Sequence, residues 1–231
     1  MSCFSAMVSA RFKAAMGGDV IGSLEAAYKE LIKRRRDWVD YGDLSVITEQ
    51  QRSGVNCQVL QQALLHRAEK MIVSSGTMIA ENNVYGLALM VRGHLEATAM
   101  LGYFCHRLHS FAAGNILFDE IALNIASAAM GAKHEQFAAA PQPISIMTCV
   151  EKADLYLEAN GFPADKRMIA DCYAWLSDFA HPNFLSTSSA IEPQGGTGRM
   201  RILHDVELGP RELPFSQPSN NEPTGRVHEP W

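Results

Sequence analysis

The stretch Arg92-Gly-His-Leu-Glu96-Ala-Thr-Ala-Met-Leu-Gly-Tyr103-Phe-Cys-His106-Arg107 decides the fold of this chain. On a helix advancing about 100 degrees per residue, with Arg92 at zero, Glu96, Tyr103, His106, Arg107 and Ser110 all fall within about sixty degrees of it. The rest of the circumference carries Leu89, Met90, Val91, Leu95, Ala97, Met100, Leu101 and Phe104. A helix apolar on nearly every side belongs inside a protein rather than on its surface. Gly93 and Gly102 leave room for neighbouring backbones to approach. The segment therefore predicts a central helix over roughly Asn83 to Ala113. Its polar stripe must face either complementary groups on a partner helix or a cleft, because isolated charges are expensive to bury.

Helical spacing recurs on both sides. Residues 1–16 read as an amphipathic helix stopped by Gly17-Gly18, and Val20 to Trp38 carries Leu24, Tyr28, Leu31 and Ile32 on one stripe. The cluster Lys33-Arg34-Arg35-Arg36 suits the negative pole at that helix's end, as a cap and a solvated face. Thr48 to Met78 sets Val59, Leu60, Ala63, Leu64, Arg67 and Met71 at helical intervals. Further helices are expected over Leu117–Ala139, Ile144–Asn160 and Ala164–Ala180, with Pro141, Pro143, Pro163 and Pro182 at their boundaries. The predicted fold class is all-α: a bundle of about six or seven helices over residues 1–185. Residues 186–231, rich in proline and small polar residues, are expected to form an irregular or partly disordered C-terminal extension. Within it only Arg199-Met-Arg-Ile-Leu-His204 has the character of a strand.

Composition narrows the function classes. The 231 residues are 47% hydrophobic and 19% charged, with net charge −5 and a pI near 5.9, so no global basic field exists to hold nucleic acid. Cys3, Cys57, Cys105, Cys149 and Cys172 are odd in number, widely spaced and form no C-x-x-C pair. They read as free thiols in a reducing compartment, with Cys105 and Cys172 as core residues rather than nucleophiles. No basic region precedes the first apolar stretch, and Glu81, Arg92, Glu96, Asp119 and Glu120 interrupt the apolar runs. The expectation is a soluble cytoplasmic protein without a signal peptide or membrane span. His106-Arg-Leu-His109 has a spacing that suits a metal, yet no matching third and fourth ligands stand elsewhere. With no Gly-rich phosphate loop, G-x-S-x-G or H-E-x-x-H, no metal and no cofactor are expected.

A second informative stretch is Ser177-Asp-Phe-Ala-His181-Pro-Asn183. His181 falls at a helix C-terminus, where the dipole favours the imidazolium, and Ser177 stands one turn earlier. Asp178 at the same negative pole needs a cation such as Arg92 or Arg107. His181, Arg92 and Glu96 are thus candidate catalytic groups for acid–base chemistry on a phosphodiester. Tyr103, His106, Arg107, Ser177, Asp178 and Asn183 are candidate binding groups around them. The same residues also read as structure, with Arg92–Glu96 fixing a helix register and His181 capping a helix. On a surface that ion pair would be worth only a few tenths of a kcal/mol.

The pairing of R-x-x-L-E-A with a later Y-x-x-L-S-x-x-x-H-P resembles a group of uncharacterised bacterial all-helical proteins. The matching positions are Arg92, Leu95, Glu96 and Ala97, then Tyr173, Leu176, Ser177, His181 and Pro182. The resemblance covers residues 80–185 and implies an all-α bundle, with no activity attached. More distantly the chain is similar to HEPN-type helical domains, many of them metal-independent ribonucleases of toxin–antitoxin and phage-defence systems. Those enzymes place four to six residues between an arginine and a following histidine, usually across a homodimer. Here only Arg199 and His204 have that spacing, in the candidate strand.

Two functions are therefore carried forward. One is a non-enzymatic helical interaction module, homodimeric or bound to another protein, whose Arg92, Glu96, Tyr103 and His181 hold its interior together. The other is a HEPN-like ribonuclease acting on RNA, with His181 as acid–base group and Arg92 stabilising the phosphorane charge. An enzyme should present these groups in an open cleft, whereas a structural network should be closed and hydrogen-bonded.

Overall fold

In the computed structural model, which describes residues 16–40, 42–43, 45–162, 167–181, 191–194 and 199–202, local side-chain caps open two of the long helices. Thr48 and Gln51 form a reciprocal capping box: the Thr48 hydroxyl accepts the Gln51 N–H at 3.2 Å, and the Gln51 side chain accepts the Thr48 N–H at 2.9 Å. Asn83 accepts the Gly86 N–H at 2.8 Å and opens the next helix. Six α-helices run through the described residues: α1 Gly18–Lys33, α2 Glu49–Ala80, α3 Val84–Ala112, α4 Phe118–Met130, α5 Ile146–Ala159 and α6 Met168–Ala180. A single 3-10 turn, Glu135–Phe137, follows α4. Beyond the helices, β1 (Ile191–Gln194) and β2 (Arg199–Ile202) pair antiparallel, with Ile191 opposite Ile202 and Gln194 opposite Arg199. The protein is an all-α helical bundle. Among the described residues no helix is long and apolar enough to cross a membrane.

Helices α2 and α3 form a long antiparallel hairpin, joined at a tight turn where Asn82 takes a left-handed φ of 54°. Asparagine tolerates that conformation because its short polar side chain bonds locally. α3 then packs against α2, α4, α5 and α6, which makes it the inner helix that its apolar circumference requires. The core around it is built from Leu60, Ala99, Tyr103, Phe104, Ile121, Ile125, Cys149, Val150, Ala153, Ile169 and Tyr173. Small residues set how closely the helices approach. A Cβ on Gly102 would lie 2.6 Å from the Ala153 Cβ and 3.0 Å from its Cα, so α3 and α5 touch nearly backbone to backbone there. Gly93 gives the Met71 side chain the same kind of access on the α2 side, at 3.1 Å.

Several boundaries differ from expectation, each for a local reason. The helix expected to reach Trp38 stops at Lys33, where Gln62 of α2 accepts the Arg36 N–H at 2.8 Å and donates to the Arg34 carbonyl at 3.2 Å. Trp38 is left 88% exposed. The basic cluster there is only partly a solvated face. Lys33 and Arg34 pair with exposed Glu30, whereas Arg35 reaches the buried Glu69 carboxylate at 3.0 Å and fastens α1 to α2. The helix expected to run to Ala139 ends at Met130, because Gly131 takes an extended conformation and Ala132 bonds back to the Pro141 carbonyl. The strand expected from Arg199 is present as far as Ile202, in the hairpin with β1. The helix over residues 1–16 lies outside the described residues apart from its last position. So do residues 164–166, Pro182, Asn183 and the chain beyond Ile202.

The contact between Gly102 and Ala153 generates a prediction whose sign opposes helix propensity. Gly102→Ala should gain about 1 kcal/mol from propensity. It should still unfold at lower denaturant, with a net loss of about 1–3 kcal/mol, because the helices must separate. A more stable variant in a urea melt would contradict the close approach.

Candidate functional site

The start of α6 is held by a residue of another helix. Its N-cap position, Arg167, supplies no side-chain bond. Instead Asp154 of α5, itself buried, accepts the Ile169 N–H at 2.9 Å and the Ala170 N–H at 3.0 Å with its two carboxylate oxygens. A carboxylate there satisfies two orphan donors and faces the positive helix pole. This fixes α6 in rotation and height, and so places Tyr173 one turn further along.

Tyr173 meets Arg92. The Arg92 Nη2 donates to the Tyr173 hydroxyl at 2.9 Å, and its guanidinium carbon lies 5.0 Å from the Tyr173 ring centroid. Arg92 Nε also donates to Glu96 Oε1 at 3.3 Å, and Glu96 Oε2 lies 3.5 Å from Arg67 Nη2 of α2. The result is a chain Arg67–Glu96–Arg92–Tyr173 that links α2, α3 and α6, with the Arg92 and Glu96 side chains 21% and 28% exposed. The two sequence motifs, R-x-x-L-E-A and Y-x-x-L-S-x-x-x-H-P, therefore meet through Tyr173.

His181 lies elsewhere on that helix. It is the exposed C-cap of α6, its N–H donating to the Ser177 carbonyl at 3.2 Å. Eight residues separate it from Tyr173 in the sequence, about 12 Å along the helix axis. The Ser177 hydroxyl donates to the Tyr173 carbonyl of its own helix at 2.7 Å. Asp178 is exposed on the last turn. Asn183 lies outside the described residues.

The remaining groups of the α3 stripe are used at its other end. The buried Tyr103 hydroxyl donates to Asn124 Oδ1 of α4 at 2.9 Å, and Arg107 pairs with Glu120 of the same helix. Burial raises the Tyr103 phenol above its ordinary value, opposed in part by Arg107. His106 is half-buried, and its Nδ1 has no hydrogen-bond partner among the described residues, nor has Arg107 Nε. Ser110 bonds the His106 carbonyl of its own helix at 3.0 Å. Arg92 and Arg107 are about 22 Å apart along α3, so the stripe serves two separate clusters rather than one pocket. Among the described residues no group of three or more His, Cys, Asp or Glu is placed to hold a metal ion.

An apolar concavity lies away from the Arg92 network. A groove of about 490 Å³ opens between α2, α3 and α4, floored by Leu60, Phe104, Ile121 and Ile125. Its walls include Cys57, Cys105, Leu108, Phe111 and Phe118, and Gln50, Gln58 and Gln61 stand among its few polar neighbours. Cys105 is exposed in this wall, which corrects its reading as a core residue: the three helices leave a gap here instead of closing over it. Asp154, Asn124, Glu69 and Tyr173 as an arginine partner were not singled out from sequence spacing. Each acts across helices, and the only local signal is a carboxylate or amide on an otherwise apolar helix.

Two predictions follow from these networks. Arg92→Ala should cost about 1–3 kcal/mol and Tyr173→Phe about 1 kcal/mol of unfolding free energy. The double variant should lose less than the total of the two, since both remove one shared bond. Strict additivity in denaturant melts would break the proposed coupling. The second concerns pH. His94, whose Nδ1 lies 3.3 Å from the Ala68 carbonyl, is held below its ordinary value of 6.5 by burial, against a weaker opposing pull from that bond. His106 is lowered by burial first, then by Lys152, Arg107 and His109. Both therefore take up protons more readily in the unfolded chain, and stability should fall as pH drops below about 6.5. The denaturation midpoint should be lower at about pH 5.5 than at about pH 7.5, with a shallower dependence in His94→Gln.

No protein-family model, curated protein or solved structure matches this chain.

Proposed function

We propose that this chain is a helical interaction module that assembles with a second copy of itself through the groove between α2, α3 and α4. The observation that carries the reading is an apolar groove whose own wall residues stay partly in water, with a further exposed leucine just before α4. Leu108 and Phe111 at the end of α3 are 43% and 40% exposed, and Leu117, just before α4, is 77% exposed. Exposed apolar surface gathered in one place marks an interaction site more often than scattered single residues do. A two-fold dimer is self-complementary: the same apolar surface of each copy covers that of the other.

The Arg92 network supports this reading over the HEPN-like ribonuclease. Arg92 commits its Nε to Glu96 and its Nη2 to Tyr173, so two of its three nitrogens already bond within the bundle. His181, the acid–base group of that alternative, stands about two helical turns from Tyr173. The network then holds the module's helices in place, and recognition belongs to the groove.

The test is the mass of the protein in solution. Sedimentation of the parent chain at micromolar concentration should give a dimer, and Leu108→Glu should give a monomer with unchanged helical circular dichroism. A monomeric parent across that range defeats the reading. Cleavage of RNA by the parent, lost in Arg92→Ala, would put the ribonuclease in its place.

A further inference from the structure

The groove wall holds a second feature, set by the register of the α2–α3 hairpin. Met78 lies against Gly86, Met71 against Gly93, and the Ala68 carbonyl lies 3.3 Å from His94 Nδ1. Each step down α2 is thus matched by a similar step up α3. Eleven residues make about three helical turns and return to the same face. Counting eleven residues back from Ala68 on α2 reaches Cys57, and eleven forward from His94 on α3 reaches Cys105. The register therefore sets the two cysteines opposite one another across the hairpin. Both line the same groove, as that pairing requires.

The two thiols differ in access. Cys105 is exposed and Cys57 half-buried. Cys57 is held protonated by burial first and then by the nearby Cys105 sulfur, an effect that itself needs the two to be close. The other described cysteines are placed differently. Cys149 is fully buried, its Sγ 3.6 Å from Met100 Sδ, and burial pushes its thiol up to about 11. Cys172 belongs to α6.

We propose that Cys57 and Cys105 form a redox-modifiable dithiol that closes to a disulfide by exchange with a small disulfide of the glutathione type. Cys105, the accessible thiol, loses its proton and attacks one sulfur of glutathione disulfide. The oxidant's S–S bond breaks, a mixed disulfide forms on Cys105, and one glutathione leaves as thiolate to take up a proton. Cys57 then loses its proton and attacks the Cys105 sulfur, expelling the second glutathione. In total two protein thiols are oxidised to one disulfide, and one glutathione disulfide is reduced to two glutathione molecules. The closed bridge pins α2 to α3 in the wall of the groove. This pairing rests on the helix register, independently of the assembly reading.

The test uses the full chain, diluted until it is monomeric so that assembly cannot shield the thiols. After treatment with glutathione disulfide, free thiols are alkylated and peptides mapped by mass spectrometry. The parent should yield a peptide linking Cys57 to Cys105, reversed by dithiothreitol. Cys57→Ser, which cannot resolve the intermediate, should retain about tenfold more glutathione on Cys105 than the parent does. Three outcomes overturn the proposal: both thiols staying reduced in the parent, equal glutathione on Cys105 in parent and variant, or a bridge from Cys105 to another cysteine. Helical circular dichroism of Cys57→Ser matching the parent keeps misfolding from imitating these results.

Discussion

Helix α3 is apolar around almost its whole circumference, and a helix of that kind is stable in water only when other helices surround it. Everything else in the bundle answers to that requirement. α2 returns along it as a hairpin, α5 crosses it at Gly102 and Ala153, and α6 and α4 cover separate parts of its length. Enclosing α3 also encloses its polar groups, and three of the covering helices bring partners for most of them. Tyr173 on α6, Arg67 on α2, and Asn124 and Glu120 on α4 are those partners. The polar stripe thereby specifies which helix lies where, since an apolar surface alone would accept several arrangements.

The energetics divide along the same lines. Glu30 with Lys33 and Arg34 is exposed on both sides and contributes little to stability. The Arg92 network is more enclosed, and losing one member strands the others in a poorly hydrated place. Asp154 matters for a different reason. Its carboxylate replaces the missing local cap of α6, so α5 must be in place before α6 has a satisfied first turn. The position of Tyr173, and with it the anchoring of Arg92, depends on a residue of a third helix.

The helices were legible in the sequence wherever their ends carried local chemistry. Apolar periodicity placed the starts of α2 and α3 near Thr48 and Asn83, and the structure puts a local side-chain cap at each. The end of α4 was not legible. Nothing between Met130 and Ala139 breaks a helix as firmly as proline does, and the break depends on a bond from Ala132 to the distant Pro141 carbonyl. The candidate site was legible in part. Angular position placed Arg92 and Glu96 together and marked Tyr103 and Arg107 as groups needing partners. It could not say that the stripe would be divided between α6 and α4, nor that Tyr173 rather than His181 would reach Arg92. Those outcomes depend on the heights at which helices cross, which periodicity does not contain.

Helix length explains why a groove survives beside so well-covered a helix. α2 and α3 have 32 and 29 residues, spans of about 48 and 44 Å. α5 and α6 have only 14 and 13, about 20 Å each. The short helices can close over only part of the long hairpin. α6 meets it at Arg92, α5 crosses it at Gly102 with Lys152 near His106, and α4 meets it at Arg107. α4, also 13 residues long, contributes Ile121 and Ile125 to the floor, but one helix cannot fill the space on both sides of its own axis. Apolar side chains at that end of the hairpin, Leu108 and Phe111 among them, consequently stay partly in water. Covering them with another helix of the same chain would need a longer bundle. Covering them with a second molecule needs only that the uncovered surface fit itself.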